Sequence, residues 1–419
     1  MIRVKKLKMQ GFRGIGDLTL DFDEIEPTVF IGINGVGKSS IIDCLAILLS
    51  RFSSTIQYST ASGRLFREED IKNDKNETHN EITSDFESQQ FIWSLTKVKK
   101  GRIKDTSTNL SEINKIVDNI KHQLSASEEY NLPVIIYYST NRAVLDIPLR
   151  IKKQHDFKQI DTYENSLTGT VSEFRIFFEW FRRQEDIENE LRLENNTNYR
   201  DKELEAVRQA ISSLIPNFTK LRVRRSPLRM TVEKDGEELI VNQLSDGEKC
   251  LLAMVGDLAR RLAIANPGLE NPLDGYGVVL IDEIELHLHP KWQREIIPAL
   301  TRTFPHCQFI VTTHSPQVIS QIKPQGIYIL EKTNDGIIAK RPESSYGRDS
   351  NQILEDLMDV PERPYEIKEG LLQLFRLIDA GNLDAAKQLR QELAEKIGED
   401  EAQFVKADIL MRRKGLSHK

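Results

Sequence analysis

The sequence predicts an α/β fold whose strand tips carry polar motifs, and three stretches predict it. In the first, the apolar run Val29–Ile31 sits behind Pro27 and leads into G-I-N-G-V-G-K-S, Gly32 to Ser39, and then into the apolar run Ile41–Leu49. That order is strand, glycine-rich loop, helix. In the second, Tyr276-Gly-Val-Val-Leu-Ile runs without a polar face and ends in Asp282-Glu283. In the third, Gln308-Phe-Ile-Val-Thr-Thr runs likewise into His314-Ser-Pro. Runs without a polar face suit strands buried on both sides.

The remaining elements follow in order. Leu18-Thr-Leu20-Asp-Phe22 alternates as a strand, and Gly11-Phe-Arg-Gly14 is a turn between two strands that feed the loop. Phe12 and Arg13 in that turn suit plain core and solvent, or a place beside a ligand. The chain turns polar after Arg51, with a loop at Lys72–Asn80. Glu81–Phe86 and Phe91–Val98 then read as antiparallel strands, Ser111–Glu129 as a helix with Ile113, Ile116, Val117, Ile120 and Leu124 on one face, and Leu132–Tyr138 as a buried strand. Two helices follow, Val171–Leu193 and Asp201–Leu214, the first with Phe174, Ile176, Phe177, Phe178, Trp180 and Phe181 over a broad face. Strands at Leu221–Arg224 and Met230–Glu233 precede the turn at Lys234–Glu237, and a long helix covers Cys250–Ala265. A hairpin at Gly326–Lys340 closes the sheet region. Beyond it, Asn351–Met358, Tyr365–Asp379, Leu383–Ile397 and Glu401–Arg413 are helical, with Pro361 and Pro364 breaking the chain between the first two. The stripe of Leu371, Leu372, Phe375 and Ile378 faces that of Leu383, Ala386, Leu389 and Leu393 as an αα-hairpin. The third apolar face, Phe404, Val405, Ile409 and Leu410, needs a further surface, either the chain's own body or a partner. The domains are therefore residues 1–345, with a helical insert at about 143–220, and a helical tail at 346–419.

Bulk properties exclude several classes. A net charge of −6 over 419 residues does not coat a protein for nucleic acid, so any such contact needs a local patch. The three cysteines, Cys44, Cys250 and Cys307, lie far apart in apolar contexts, as thiols do in a reducing compartment. No uninterrupted apolar stretch approaches the length of a membrane span, and Met1-Ile-Arg-Val-Lys-Lys lacks the apolar core of a signal peptide. A cytoplasmic protein is expected.

The chemistry concentrates in the motifs. A glycine loop lets successive backbone N–H groups, from Gly32 through Asn34, Gly35, Val36 and Gly37 into Lys38, Ser39 and Ser40, turn toward a phosphate chain at a helix N-terminus. Lys38 would reach the β- and γ-phosphates and the Ser39 hydroxyl would hold Mg²⁺. Asp282 suits the same ion, and Glu283, one residue on, suits accepting a proton from water. Asn242-Gln-Leu-Ser-Asp-Gly-Glu-Lys249 places Ser245 and the Gly247 N–H at a helix N-terminus, where a phosphate can be received. His287 and His289 lack a third ligand at metal spacing and suit loop or dimer contacts. His314, at a strand tip beside the acids, suits a hydrogen bond to a γ-phosphate.

The ordered set G-x-x-x-x-G-K-S, L-S-D-G-E, L-I-D-E and T-H-S-P resembles the ABC-type ATPase head, in particular the branch of structural-maintenance-of-chromosomes (SMC) heads, RecF and OLD-like ATPases. The resemblance implies an ABC-type (SMC/RecF-like) P-loop head with an antiparallel β subdomain, binding ATP and Mg²⁺ at a site shared between two copies. It implies Lys38 and Ser39 as Walker A, Ser245 and Gly247 as signature, Asp282 and Glu283 as Walker B, and His314 as switch histidine. The signature carries Asp246 and Glu248 where transporters carry glycine and glutamine. No clear Q-loop glutamine is present, and Tyr138-Ser-Thr-Asn141-Arg142 stands in its place, so Asn141 or Arg142 takes that role. The motifs Y-Y-S-T-N-R and I-D-E-I-E-L-H-L-H-P, with the helical tail, are similar to the ATPase subunit of Septu-type anti-phage systems, which works with an HNH nuclease.

Four functions are to be distinguished on these motifs. One is a nucleotide-gated homo-oligomeric switch controlling an HNH-type nuclease, with contact to DNA or RNA through the complex and none to a membrane. A second is a RecF-like DNA-binding ATPase of recombination or repair, resting on Arg222, Arg224, Arg225 and Arg229 and the basic residues at 3–8. A nuclease in its own right lacks room for its domain after His314. The insert, the tail and the divergent signature speak against a transporter subunit.

Overall fold

The computed structural model describes residues 2–87, 89–103, 105–141, 156–169, 174–194, 197–215, 217–334 and 336–417. They form two compact units, Met1–Arg348 and Asp349–Lys419. The first unit opens with β1 (Ile2–Phe12) and β2 (Ile15–Asp21), joined by a turn in which Gly11 and Arg13 take positive φ, then β3 (Thr28–Ile31) and α1 (Lys38–Gln57). Next come β4 (Glu77–Phe86), β5 (Gln89–Val98), α2 (Ser111–Ala126) and β6 (Val134–Tyr138). The helices α3 (Phe174–Glu194) and α4 (Lys202–Leu214) lead to β7 (Phe218–Arg225), β8 (Leu228–Lys234), β9 (Glu237–Ile240) and α5 (Asp246–Ala265). The unit ends with β10 (Gly277–Ile281), α6 (Pro290–Thr303), β11 (Cys307–Thr312), α7 (Pro316–Ile319), β12 (Ile327–Thr333) and β13 (Gly336–Lys340).

The central sheet has the order β13-β12-β3-β11-β10-β6. Its five strands from β12 to β6 are parallel, and β13 returns antiparallel. In parallel strands the C-terminal ends share one edge, which is where ligands bind in open α/β sheets. The register makes this concrete: Ile281 lies level with Val311 and Tyr138, and Thr312 with Phe30. The loops after β3, β6, β10 and β11 therefore meet. A four-stranded antiparallel sheet, β2-β1-β4-β5, supplies the β subdomain, and β7-β8-β9 form a third sheet. Where the β1–β4 ladder slips between Val4 and Lys6, the buried amide of Gln308 on β11 accepts from Val4 N and donates to Val4 O, each at 2.8 Å. This staple joins the two sheets through one side chain.

The helix α1 is 20 residues long and apolar enough for a membrane span by composition. It is instead a core helix, with 72% of its most apolar window buried against β6, β10 and β11 of the central sheet and β4 of the small one. The helix α5 packs against α3, α4 and β6. Its buried Asp257 accepts from Arg260 at 2.7 Å, from Arg261 at 2.8 Å and from the Tyr138 hydroxyl at 3.1 Å. Burial alone would raise the Asp257 pKa, but Arg261 and Arg260 hold it down to about 2.

The structure departs from the sequence expectations at several places, the short helix α7 among them. Residues 77–80, expected as loop, open β4: Thr78 and Asn80 are fully buried, with Thr78 Oγ1 donating to Gln10 O at 2.9 Å and Asn80 Nδ2 to Thr78 Oγ1 at 2.9 Å. Polar side chains that hydrogen-bond to each other and to the backbone inside a sheet look like loop in the sequence. The short strand β9 and the helix α6 were not anticipated, although Pro290 at its first position and the His289 ring capping Lys291 N mark where α6 starts.

The second unit contains α8 (Ser350–Met358), α9 (Tyr365–Asp379), α10 (Leu383–Ile397) and α11 (Ala402–Ser417). Leu371, Leu374 and Ile378 of α9, Ala386, Leu393 and Ala394 of α10, and Phe404, Ala407 and Met411 of α11 share one buried core. Gly381, at φ 78°, makes the tight turn from α9, and Asn382 caps α10. Phe404 of α11 thus finds its surface inside the three-helix unit, while Val405 and Ile409 stay exposed.

Candidate active site

The loop between β3 and α1 has the backbone that phosphate binding needs. Gly32, Gly35 and Gly37 all take positive φ. A Cβ on Gly32 would stand 2.6 Å from the carbonyl oxygen of Leu330 on β12, so only glycine lets the loop pass that close. Gly37 caps α1, aiming the unpaired N–H groups of the first helical turn, including those of Ser39 and Ser40, out of the loop. Lys38 Nζ folds back and donates to Gly32 O at 2.9 Å and Ile33 O at 3.0 Å. Burial lowers its pKa, and Asp282, Glu283 and Glu285 oppose that by raising it. Three carboxylates delivered by another part of the chain thus act on the lysine's charge.

Those carboxylates follow β10. Asp282 is buried, with its N–H on Tyr138 O at 2.9 Å. Ser39 Oγ donates to Asp282 Oδ1 at 3.1 Å across 243 residues of sequence. A hydroxyl and a carboxylate oxygen converging on one point are hard oxygen donors, so the pair fits Mg²⁺. Glu283 sits at φ 48°, a left-handed conformation that costs a non-glycine residue about 1–2 kcal/mol. Thr312, fully buried at the end of β11, holds it there. Its hydroxyl accepts from Glu283 N at 2.7 Å and donates to Asp282 Oδ1 at 2.5 Å, while its carbonyl accepts from Ile284 N at 3.0 Å. Two residues on, His314 has its pKa lowered by burial and by Lys38, against Glu285, Glu283 and Asp282. That direction favours the neutral imidazole, which can offer one ring N–H to an anion.

Ser245 and Gly247 lie elsewhere. Ser245 caps α5: its hydroxyl accepts from Glu248 N at 3.4 Å and donates to Glu248 Oε2 at 2.8 Å, while Ser245 N donates to the same oxygen at 2.9 Å. With Gly247, Lys234, His287, Leu288, His289 and Trp292 these residues line a cleft of about 690 Å³, to which none of residues 32–40 contributes. A Cβ on Gly247 would lie 2.4 Å from His287 O, so the glycine lets α5 close on the loop after β10. Arg142 falls outside the described residues. Asn141 is in a turn, its N–H on Ser139 Oγ at 3.3 Å.

Other candidates resolve into structure. Phe12 is fully buried core, and Arg13 pairs with Asp43 of α1 at 2.5 Å and Asp70 at 2.8 Å. Arg222 and Arg224 both pair with Glu238, and Arg225 with Glu185 and Asp186. Arginines tied to carboxylates on their own surface offer little net charge to a phosphate backbone. Sequence reasoning missed Thr312 and Glu285. Their signals were a second threonine before T-H-S-P and a second glutamate after L-I-D-E, both legible only once the strand tips are known to touch.

Thr312→Val keeps the shape and removes the hydroxyl, leaving Glu283 N without its partner. ATP turnover should fall by about 10–100-fold, as misplacement of reacting groups by a fraction of an ångström does, with Thr312→Ser retaining most of it. Equal rates for the valine and serine variants would show that the hydroxyl does not place the acids.

Residues 28–320 match the family described as "AAA domain, putative AbiEii toxin, Type IV TA system". The chain is similar to "Retron Ec83 probable ATPase" of Escherichia coli, 32% identical with 95% of this chain and 83% of that protein covered. It is similar to "Retron Vc95 probable ATPase" of Vibrio cholerae serotype O1 biovar El Tor, 31% identical with 92% and 85% covered. It is also similar to "Septu protein PtuA" of Bacillus thuringiensis, 24% identical with 91% of each chain covered. Among solved structures it matches the SMC head domain from Thermotoga maritima at 16% identity and a TM-score of 0.44, over 81% of this chain and 99% of that one. With the family match running from the start of β3 to just past α7, the chain belongs to this AAA-domain family.

Proposed function

We propose that the chain binds and hydrolyses ATP at the edge where the loops after β3, β10 and β11 meet, as the ATPase subunit of an anti-phage defence complex. In that complex it is an oligomeric, nucleotide-gated switch on a partner HNH-type nuclease. The observation that carries the ATPase part is the contact of Ser39 with Asp282, which brings the loop and the acid-tipped strand to one point. The likeness to the retron ATPases and to Septu protein PtuA supports the defence setting.

The residues divide the chemistry. The 32–40 loop receives the phosphates through backbone N–H groups, and Lys38 leaves its two loop carbonyls to meet the γ-phosphate. Ser39 and Asp282 would hold Mg²⁺, which when bound neutralises the β- and γ-phosphate oxygens. Glu283, fixed by Thr312, accepts a proton from the attacking water, and a ring N–H of His314 donates to the γ-phosphate. We read Ser245 and Gly247, in their separate cleft, as the receivers of the γ-phosphate held by a second copy, so the proposed working unit is at least a dimer.

Glu283→Gln should leave ATP binding intact and slow hydrolysis by about 10²–10⁴-fold, the usual worth of a general base, whereas Lys38→Ala should weaken binding itself. Wild-type turnover by Glu283→Gln would remove the assignment. The nuclease part is tested on the purified two-subunit complex by comparing DNA cleavage with ATP, with ADP and with Glu283→Gln plus ATP. Different rates in the three are expected, and one common rate would overturn the switch.

A further inference from the structure

The acid after the Walker pair has a part of its own. Glu285 reaches from the loop after β10 to the turn after β11 and uses both carboxylate oxygens there. Oε2 accepts from Thr313 Oγ1 at 2.7 Å, and Oε1 accepts from the backbone N–H of His314 at 2.5 Å. A carboxylate has acceptors on both oxygens, so one side chain can take both donors at once, which an amide cannot. The same turn is held from the other side, since Thr313 N donates to Phe30 O at 3.2 Å at the end of β3. Within the turn, Ser315 N donates to Thr313 Oγ1 at 3.0 Å.

A backbone N–H pinned at its own residue fixes where that residue's Cα–Cβ bond points. We propose that Glu285 is a positioning residue for hydrolysis, aiming the His314 imidazole at the γ-phosphate by clamping the Thr313–His314 turn. This rests on the reading of His314 as the γ-phosphate donor. Glu285 also exchanges roles with Thr312. The acid strand is set by a hydroxyl from the histidine strand, and the histidine strand by a carboxylate from the acid strand. Neither tip is placed without the other.

A double-mutant cycle on the full chain tests it, with Glu285→Gln, His314→Ala, their combination and the wild type. Turnover, the ATP KM and the melting temperature are read for each. Glu285→Gln should lower kcat by about 10–100-fold with KM changed less than about threefold, because the amide cannot accept at both positions. In the His314→Ala background the same change should cost less than about twofold, since groups that act through one another are not additive. An equal loss in both backgrounds would overturn the proposal, because Glu285 would then act independently of the histidine. Wild-type turnover by His314→Ala would instead remove the reading of His314 itself. Should Glu285→Gln fail to fold, Glu285→Asp, which keeps the charge one methylene short, goes through the same cycle with the same two outcomes.

Discussion

One hydroxyl sets the geometry on which the site depends. Thr312 Oγ1 donates to the Asp282 carboxylate and accepts from the Glu283 N–H, so a single buried atom orients both the carboxylate of Asp282 and the backbone of Glu283. This is possible only because β10 and β11 run parallel and level, Ile281 beside Val311, which brings the next residue of each strand to the same height. The left-handed turn at Glu283 is unfavourable in isolation, and the hydrogen bond from its N–H offsets part of that cost. Strain at such a point is stable because buried partners over-determine it.

The same logic extends outward. Ser39 couples α1 to β10, Arg13 couples the first β-turn to Asp43 of α1, and Gln308 staples the two sheets. On the far side of β10, Tyr138 and Asp257 tie the tip of β6 to α5, the helix that carries Ser245 and Gly247 at its start. The close approach of Gly247 to His287 O then joins that helix start to the loop following Asp282 and Glu283. Both halves of the proposed composite site are therefore anchored to one loop, residues 282–289, within each chain.

Much of this was legible in the sequence, because a glycine loop between strand and helix, or an apolar strand ending in two acids, is a local pattern with a physical cause. The helices of the second unit were legible for the same reason, their stripes recurring at three and four residues. Contacts between distant segments were not legible. Nothing near Thr312 announces that it faces Asp282, thirty residues away, and nothing near Thr78 announces that its hydroxyl meets Gln10 inside a sheet. The arginine run at 222–225 looked like a phosphate surface until Glu185, Asp186 and Glu238 were found on it. Phe404 looked in need of a partner because its neighbours in space, such as Leu374 and Ile378, lie about one helix-turn-helix away in sequence.

The central claim is that each chain carries two half-sites, the 32–40 loop with its acids and the Ser245–Gly247 helix start, and that hydrolysis joins halves from two chains. Mixing inactive Lys38→Ala with inactive Ser245→Arg measures this most directly. In a mixed dimer one shared site bears both changes and the other bears neither. ATP turnover should reappear on mixing, in proportion to the mixed dimer formed. No recovery while subunit exchange is demonstrated would contradict it and leave each site complete within one chain.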